Sequence, residues 1–163
     1  MIEMPYQVGD RISYPHHGAS VIESIETRVI DGVERKMYKA RPVMQNIVLL
    51  FPVDNAEKIG IRPVISKEDA QELLNGYFVK KGPKAVVWSR RYKNNIENLK
   101  SGDFYQIAEV VRELSLSEKP LSAAEKRQCQ DAMQKLVSEL ALSLEVTYEE
   151  AENLLEKTIQ TAS

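Results

Sequence analysis

The chain has 163 residues, 43% of them hydrophobic and 28% charged, and 22 Lys/Arg against 24 Asp/Glu give a net charge of −2. This suits an ordinary globular protein of one domain or two small ones. No run of eighteen apolar residues offers a membrane span, Met1 to Pro5 lack the pattern of a signal peptide, and the single Cys129 excludes an internal disulfide and a cysteine-rich zinc site. A cytosolic protein is expected.

From Tyr6 to about Ile65 the chain reads as strands. Val8, Ile12 and Tyr14 are followed by Val21, Ile22, Ile25, Val29 and Ile30, then by Tyr38, Val43, Ile47, Val48 and Phe51. The adjacent His16-His17, between Pro15 and Gly18, suit a turn. On a strand they would point to opposite faces and could not readily share a metal ion. Asp31-Gly32 is a strong tight-hairpin signal because both residue types tolerate positive φ. Gln45-Asn46 suggests a weaker second turn. Ile47 to Phe51 is nearly all apolar, so it is either buried on both faces or covers a partner. Short strands at close spacing predict a small antiparallel barrel or curled sheet over residues 1–65.

After Ile65 the period becomes helical. Ser66 with Glu68 and Asp69 opens a first helix that Asn75-Gly76 closes. Lys80 to Pro83 is a basic loop, and Trp88 to Leu99 is predicted helical. Phe104, Ile107, Ala108, Val111 and Leu114 follow amphipathic spacing. Ser122 with Glu125, and Thr147 with Glu150, are capping boxes that open two more helices. The fold class is therefore α+β: a small antiparallel β module, then an all-helical domain of about five helices over 66–163.

Little in the chain suggests catalysis. There is no phosphate-binding glycine loop and no nucleophile elbow. Cys129 lies on the apolar face of its helix, and the carboxylates fall mostly on helix faces and caps. No enzyme activity, catalytic residue, metal or cofactor is expected. One window stands out. Residues 80–100 hold seven Lys/Arg and one acid, Glu97, leaving 15 of the 22 basic and 23 of the 24 acidic residues elsewhere. The sole tryptophan, Trp88, lies inside it. A polyanion would be steered here and repelled elsewhere, and an aromatic ring beside cations can stack on a base or wedge into a base step. Read by itself, the window is either a nucleic-acid contact or a solvated helix face whose Trp88 anchors a core.

The motifs together resemble the CarD/CdnL family of bacterial RNA polymerase-binding transcription regulators. The N-terminal part carries Val8-Gly9-Asp10, Tyr14-Pro15-His16-His17-Gly18-Ala19, Ile25-Glu26-Thr27-Arg28 and Pro52-Val53-Asp54-Asn55-Ala56. The C-terminal part carries Trp88-Ser89-Arg90-Arg91-Tyr92-Lys93, Leu99-Lys100-Ser101-Gly102-Asp103 and Leu121-Ser122-Ala123-Ala124-Glu125-Lys126. The resemblance implies a Tudor-like (SH3-like) N-terminal module that binds the β subunit of RNA polymerase. It further implies a helical domain that contacts promoter DNA at the upstream edge of the transcription bubble and stabilises the open complex. By residue match Trp88 takes the wedge position, Arg90 and Lys93 fall where the family has DNA-contacting cations, and neighbouring Arg91 joins them as a candidate. Arg28 falls on a polymerase-contacting arginine. The family's second such arginine is here replaced by Leu50, so docking is expected to be weaker or more apolar. A monomer is expected, binding duplex DNA weakly and with little sequence preference, in the bacterial cytoplasm and associated with the nucleoid through polymerase. The alternative is a protein–protein module that binds polymerase or another partner, in which Trp88 only joins the two domains and DNA is not touched.

Overall fold

A computed structural model describes residues 4–79 and 88–162, the side chains of 79 and 88–90 excepted. The chain divides into two compact units, 1–64 and 65–163.

The first unit is an antiparallel sheet of β1 (Arg11–Tyr14), β2 (Gly18–Ile30), β3 (Val33–Pro42), β4 (Leu49–Pro52) and β5 (Arg62–Pro63), with a short helix α1 (Ala56–Ile59) between the last two. The strand order is β4-β3-β2-β1-β5, so the sheet is curled but not closed into a barrel, and β4 and β5 are its edges. Asp31 and Gly32 both take positive φ, 53° and 78°, and join the two long strands where the sequence places a tight hairpin. His16 adopts φ 69° in the β1–β2 turn, while His17 Nδ1 lies 2.7 Å from the Gln45 side-chain oxygen.

The core of this unit is Ile12, Ile22, Tyr38, Ala40, Phe51, Val53, Ala56 and Ile61. Val21, Ile22 and Ile25 break strict alternation because the β2–β3 register shifts between Ile22 and Ser24. A bulge moves the core-facing parity from even to odd positions. Ile22 and Ile25 therefore both face inward. Ile47 to Phe51 is not buried on both faces: Phe51 is buried, while Ile47, Val48 and Leu50 are exposed. The Tyr38 hydroxyl accepts from the Tyr6 N–H at 2.9 Å and donates to the Tyr6 carbonyl at 2.8 Å. It thereby substitutes for a strand partner along the N-terminal segment.

The second unit contains α2 (Lys67–Gly76), α3 (Trp88–Ser101), α4 (Phe104–Ser115), α5 (Ala123–Leu144) and α6 (Tyr148–Ala162). Ser66, Asp103 and Ser122 cap three of them with side-chain oxygens, and Ser122 with Glu125 forms a complete capping box. α2 ends at Gly76, where the sequence places its close. The chain runs on through a 3₁₀ turn, Tyr77–Val79, that buries Phe78 in the core and hydrogen-bonds the Tyr77 hydroxyl to Glu109 at 2.7 Å. The core is built from α4 (Phe104, Ile107, Val111, Leu114) and α5 (Leu136, Val137, Leu140), with Leu73 and Leu155 beside them. Ile65 is held to α5 from both sides. Its N–H donates to Glu139 at 2.9 Å and its carbonyl accepts from Ser143 Oγ at 2.8 Å.

Tyr38→Phe is expected to destabilise the first unit by about 1–3 kcal/mol, because it leaves the Tyr6 N–H and carbonyl without their partner. Faster amide exchange at Tyr6 with an intact β2–β3 hairpin, read by hydrogen-exchange mass spectrometry, is the expected signature.

Candidate functional site

Two surfaces carry the expected site residues, one in each unit. In the first, Arg28 stands directly opposite Arg35, and Leu50 directly opposite Lys39. Opposed residues of an antiparallel pair share a face, and alternate residues along a strand return to it. Arg28, Glu26, Arg35, Lys39 and Leu50 thus lie on one face, opposite the one that buries Tyr38 and Ala40. Leu50 is 42% exposed and lies on the edge strand β4. The Arg28 guanidinium donates to Glu26 Oε2 at 2.8 Å from Nη2 and 3.2 Å from Nε, and holds that carboxyl below the usual carboxylate range. The pairing steadies Arg28 without burying it. Arg35 has no ion-pair partner among the described residues, so the face carries an uncompensated cation, and farther along it the exposed Leu50 lies beside Lys39.

In the second unit, Trp88 and Arg90 occupy the first turn of α3, with their side chains outside the described residues. The basic loop from Lys80 to Pro83 also lies outside them. Lys93 and Asn94 are exposed. Arg91 differs from its neighbours. Its side chain is 13% exposed, and its Nε and Nη2 approach Glu125 Oε2 at 2.7 and 2.5 Å. Nη1 donates to Ser117 Oγ at 3.4 Å, and Glu113 lies 4.0 Å away. A guanidinium engaged this way is not a free cation for phosphate. The structure thus gives Arg91, expected among the DNA-contacting cations, internal partners.

Glu125 is fully buried. One oxygen faces Arg91; the other, Oε1, accepts from the Ser122 N–H at 3.4 Å and completes the α5 cap. Gln128, one turn along α5, donates from Nε2 to the Tyr92 carbonyl at 3.0 Å. Asn95, one turn beyond Arg91 on α3, is fully buried, yet neither Nδ2 nor Oδ1 has a hydrogen-bond partner among the described residues. Burial pushes the Glu113 carboxyl above the usual range, against the lowering pull of Arg91. Sequence reading missed Glu125, Gln128 and Asn95 as parts of the site. The capping box marked Glu125, but nothing local ties it to a residue 34 positions earlier.

Among the described residues no group of three or more His, Cys, Asp or Glu side chains could hold a metal ion, and no helix is long and apolar enough to cross a membrane. Burial pushes the Cys129 thiol up, away from the reactive thiolate form.

Comparison with known proteins matches both units. The CarD-like/TRCF RID domain matches residues 6–65, and the CarD C-terminal domain matches residues 69–156. Over 144 residues, 87% of this chain and 94% of the relative, the sequence is 32% identical to YdeB of Bacillus subtilis (strain 168), described as a candidate transcription factor. A Tudor-like sheet followed by this helical domain defines a protein of transcription regulation. The chain belongs to the CarD family.

Two stability effects follow from the buried polar layer under α3. Asn95→Leu removes an unpaired buried amide and is expected to raise stability by about 1 kcal/mol in urea denaturation. Glu113→Gln is expected to act in a pH-dependent way. The folded state holds the Glu113 proton more tightly than the unfolded chain, so stability falls as pH rises from the ordinary carboxylate range through the raised folded value. The variant should therefore gain on the native protein between about pH 4 and pH 7, and differ little below that range. Parallel urea melts at both ends of the interval measure it.

Proposed function

We propose that this protein binds the RNA polymerase β subunit through the Arg28–Leu50 face of its first unit and stabilises the promoter open complex through Trp88, Arg90 and Lys93. The observation that carries this reading is α3 itself. Its first turns hold the sole tryptophan and Arg90, with Lys93 exposed, in the one strongly basic window of an otherwise acidic chain. Cations there would meet phosphates, which fix position without reading sequence. The ring would wedge at the unstacked edge of the bubble, where strand separation costs least. On the sheet, Arg28 would supply a charge contact and Leu50 an apolar one. The open edge of β4 leaves backbone groups free to pair with a strand of the partner. The protein would act as a monomer in the bacterial cytoplasm, brought to DNA by polymerase.

A second reading has its own support. By helical spacing Trp88 shares a face with Arg91 and Asn95, at i, i+3 and i+7, and both of those are turned into the protein. In that reading Trp88 is an internal anchor and the protein binds polymerase without touching DNA.

Trp88→Ala separates the two. If the ring acts at the bubble edge, the variant keeps its melting temperature and its polymerase affinity while open-complex lifetime falls about five- to a hundredfold, the equivalent of about 1–3 kcal/mol of stacking. If the ring is an anchor, the melting temperature drops and lifetime per folded molecule does not change. Arg28→Glu is the docking control. It is expected to weaken binding to the isolated β subunit by about 1–3 kcal/mol, and unchanged affinity in a titration would remove Arg28 from the interface.

A further inference from the structure

We infer that the Arg91–Glu125 ion pair is a positioning clamp, which fixes the first turn of α3 and so the direction in which Trp88 and Arg90 are presented. The inference rests on the proposed role of Trp88, and it concerns what holds that residue rather than what the residue touches.

The first argument is where α3 is anchored. Leu99 is the α3 side chain packed on the apolar core of the unit among the described residues. It lies eleven residues from Trp88, about 16 Å along the helix axis. Asn95, between them, is buried but unpaired and adds no directional bond. Apolar packing at Leu99 and the burial of Asn95 leave the first turn to be aimed by directional bonds, and a 10° swing over about 16 Å displaces that turn by about 3 Å. Polar bonds oppose this: the Arg91 guanidinium on Glu125 and Ser117, and Gln128 Nε2 on the Tyr92 carbonyl. The Glu125 and Gln128 grips come from the first two turns of α5.

The second argument is electrostatic. The N-terminal end of α5 is the positive end of its helix dipole, a poor place for a cation. Arg91 docks there because Glu125, at the third position of α5, places a buried carboxylate between them. The same carboxylate accepts from the Ser122 N–H, so its position is set by the α5 cap and not by Arg91 alone. The anion is preplaced, and Arg91 closes on it. One turn separates Arg91 from Trp88, so locking one fixes the helical azimuth of the other.

A pair kept only for stability and a pair kept for direction answer differently to apolar replacement. A well-packed hydrophobic pair often matches a buried ion pair in stability, but it lacks the directional hydrogen bonds. The experiment uses the full chain carrying Arg91→Met with Glu125→Leu, and in parallel Glu125→Gln alone. Trp88, the sole tryptophan, serves as a built-in reporter. If the pair is a clamp, the double variant melts near the native temperature, yet its acrylamide quenching constant shifts about twofold and the open-complex lifetime it supports falls about tenfold, as small misplacements of a working group commonly cause. Native melting together with native quenching and native lifetime in the double variant overturns the inference. Should that variant not fold, Glu125→Gln is read in the same way on its folded fraction, and unchanged quenching there overturns it equally. The underlying reading fails separately. If Trp88→Ala leaves lifetime unaltered, Trp88 has no role at the bubble, while altered quenching in the paired variants still shows that Arg91 and Glu125 position it.

Discussion

The helical unit depends on a buried carboxylate that serves two partners. Glu125 closes the capping box that starts α5 and receives the guanidinium that docks α3. An unpaired carboxylate at zero exposure would be strongly disfavoured, so both partners must be present for the arrangement to stand. The consequence is coupling: the start of α5 and the first turns of α3 cannot be placed independently. α4 packs on α5 through Phe104, Ile107, Val111 and Leu114, a conventional apolar contact that tolerates small slips. The α3 contact does not, because hydrogen bonds lose their strength steeply with angle while apolar burial does not.

The sheet unit handles its exposed groups in the opposite way. Its core is apolar and aromatic, with Tyr38 and Phe51 rings 5.3 Å apart and Tyr14 and Phe51 5.4 Å apart. The charges lie on the far face. Arg28 there is held by Glu26 two residues earlier on the same strand, whereas Arg35 directly across has no such neighbour. Like charges directly opposed on a sheet repel, and the Glu26 carboxylate offsets part of that repulsion. An acidic partner would offset more. The face is therefore suited to a partner of opposite charge with an apolar spot for Leu50. With the apolar Leu50 beside Lys39 rather than a further cation, the energy of such a contact would depend less on salt.

Much of this architecture was legible in the sequence, and the reasons differ by element. Asp31-Gly32, Ser66, Ser122 and Thr147 act through bonds and dihedrals of their own neighbours, so local reading suffices. The amphipathic spacing from Phe104 to Leu114 reports a core directly. Three features were not legible. The β2 bulge at Glu23 is fixed by the partner strand. The 3₁₀ turn Tyr77–Val79 that follows α2 is driven by the burial of Phe78. The role of Arg91 depends on a carboxylate 34 residues away. In sequence Arg91 looks like Arg90 and Lys93, because all three are cations in one basic run. What separates them is helical phase: Arg91 shares its face with the buried Asn95, and Lys93 does not.

That separation bears on how strongly the proposed DNA contact could act by itself. With Arg91 committed to Glu125, the cations of the Trp-Ser-Arg-Arg-Tyr-Lys motif left for phosphate are Arg90 and Lys93. Each neutralised phosphate contributes only about 0.9 to the log–log salt slope of duplex binding. Two such contacts would give an affinity that the acidic remainder of the surface opposes. A contact this weak is useful only where the local concentration of DNA is already high. The proposed tethering to polymerase would provide that condition, since it would turn the DNA contact into an effectively intramolecular step. Under such a tether, affinity ceases to be the quantity that matters and direction replaces it: a weak contact presented at the right angle is occupied, and one a few ångströms off is not. The buried charge pair under α3 makes sense in that setting, as a use of a cation to aim its neighbours rather than to add one more phosphate contact.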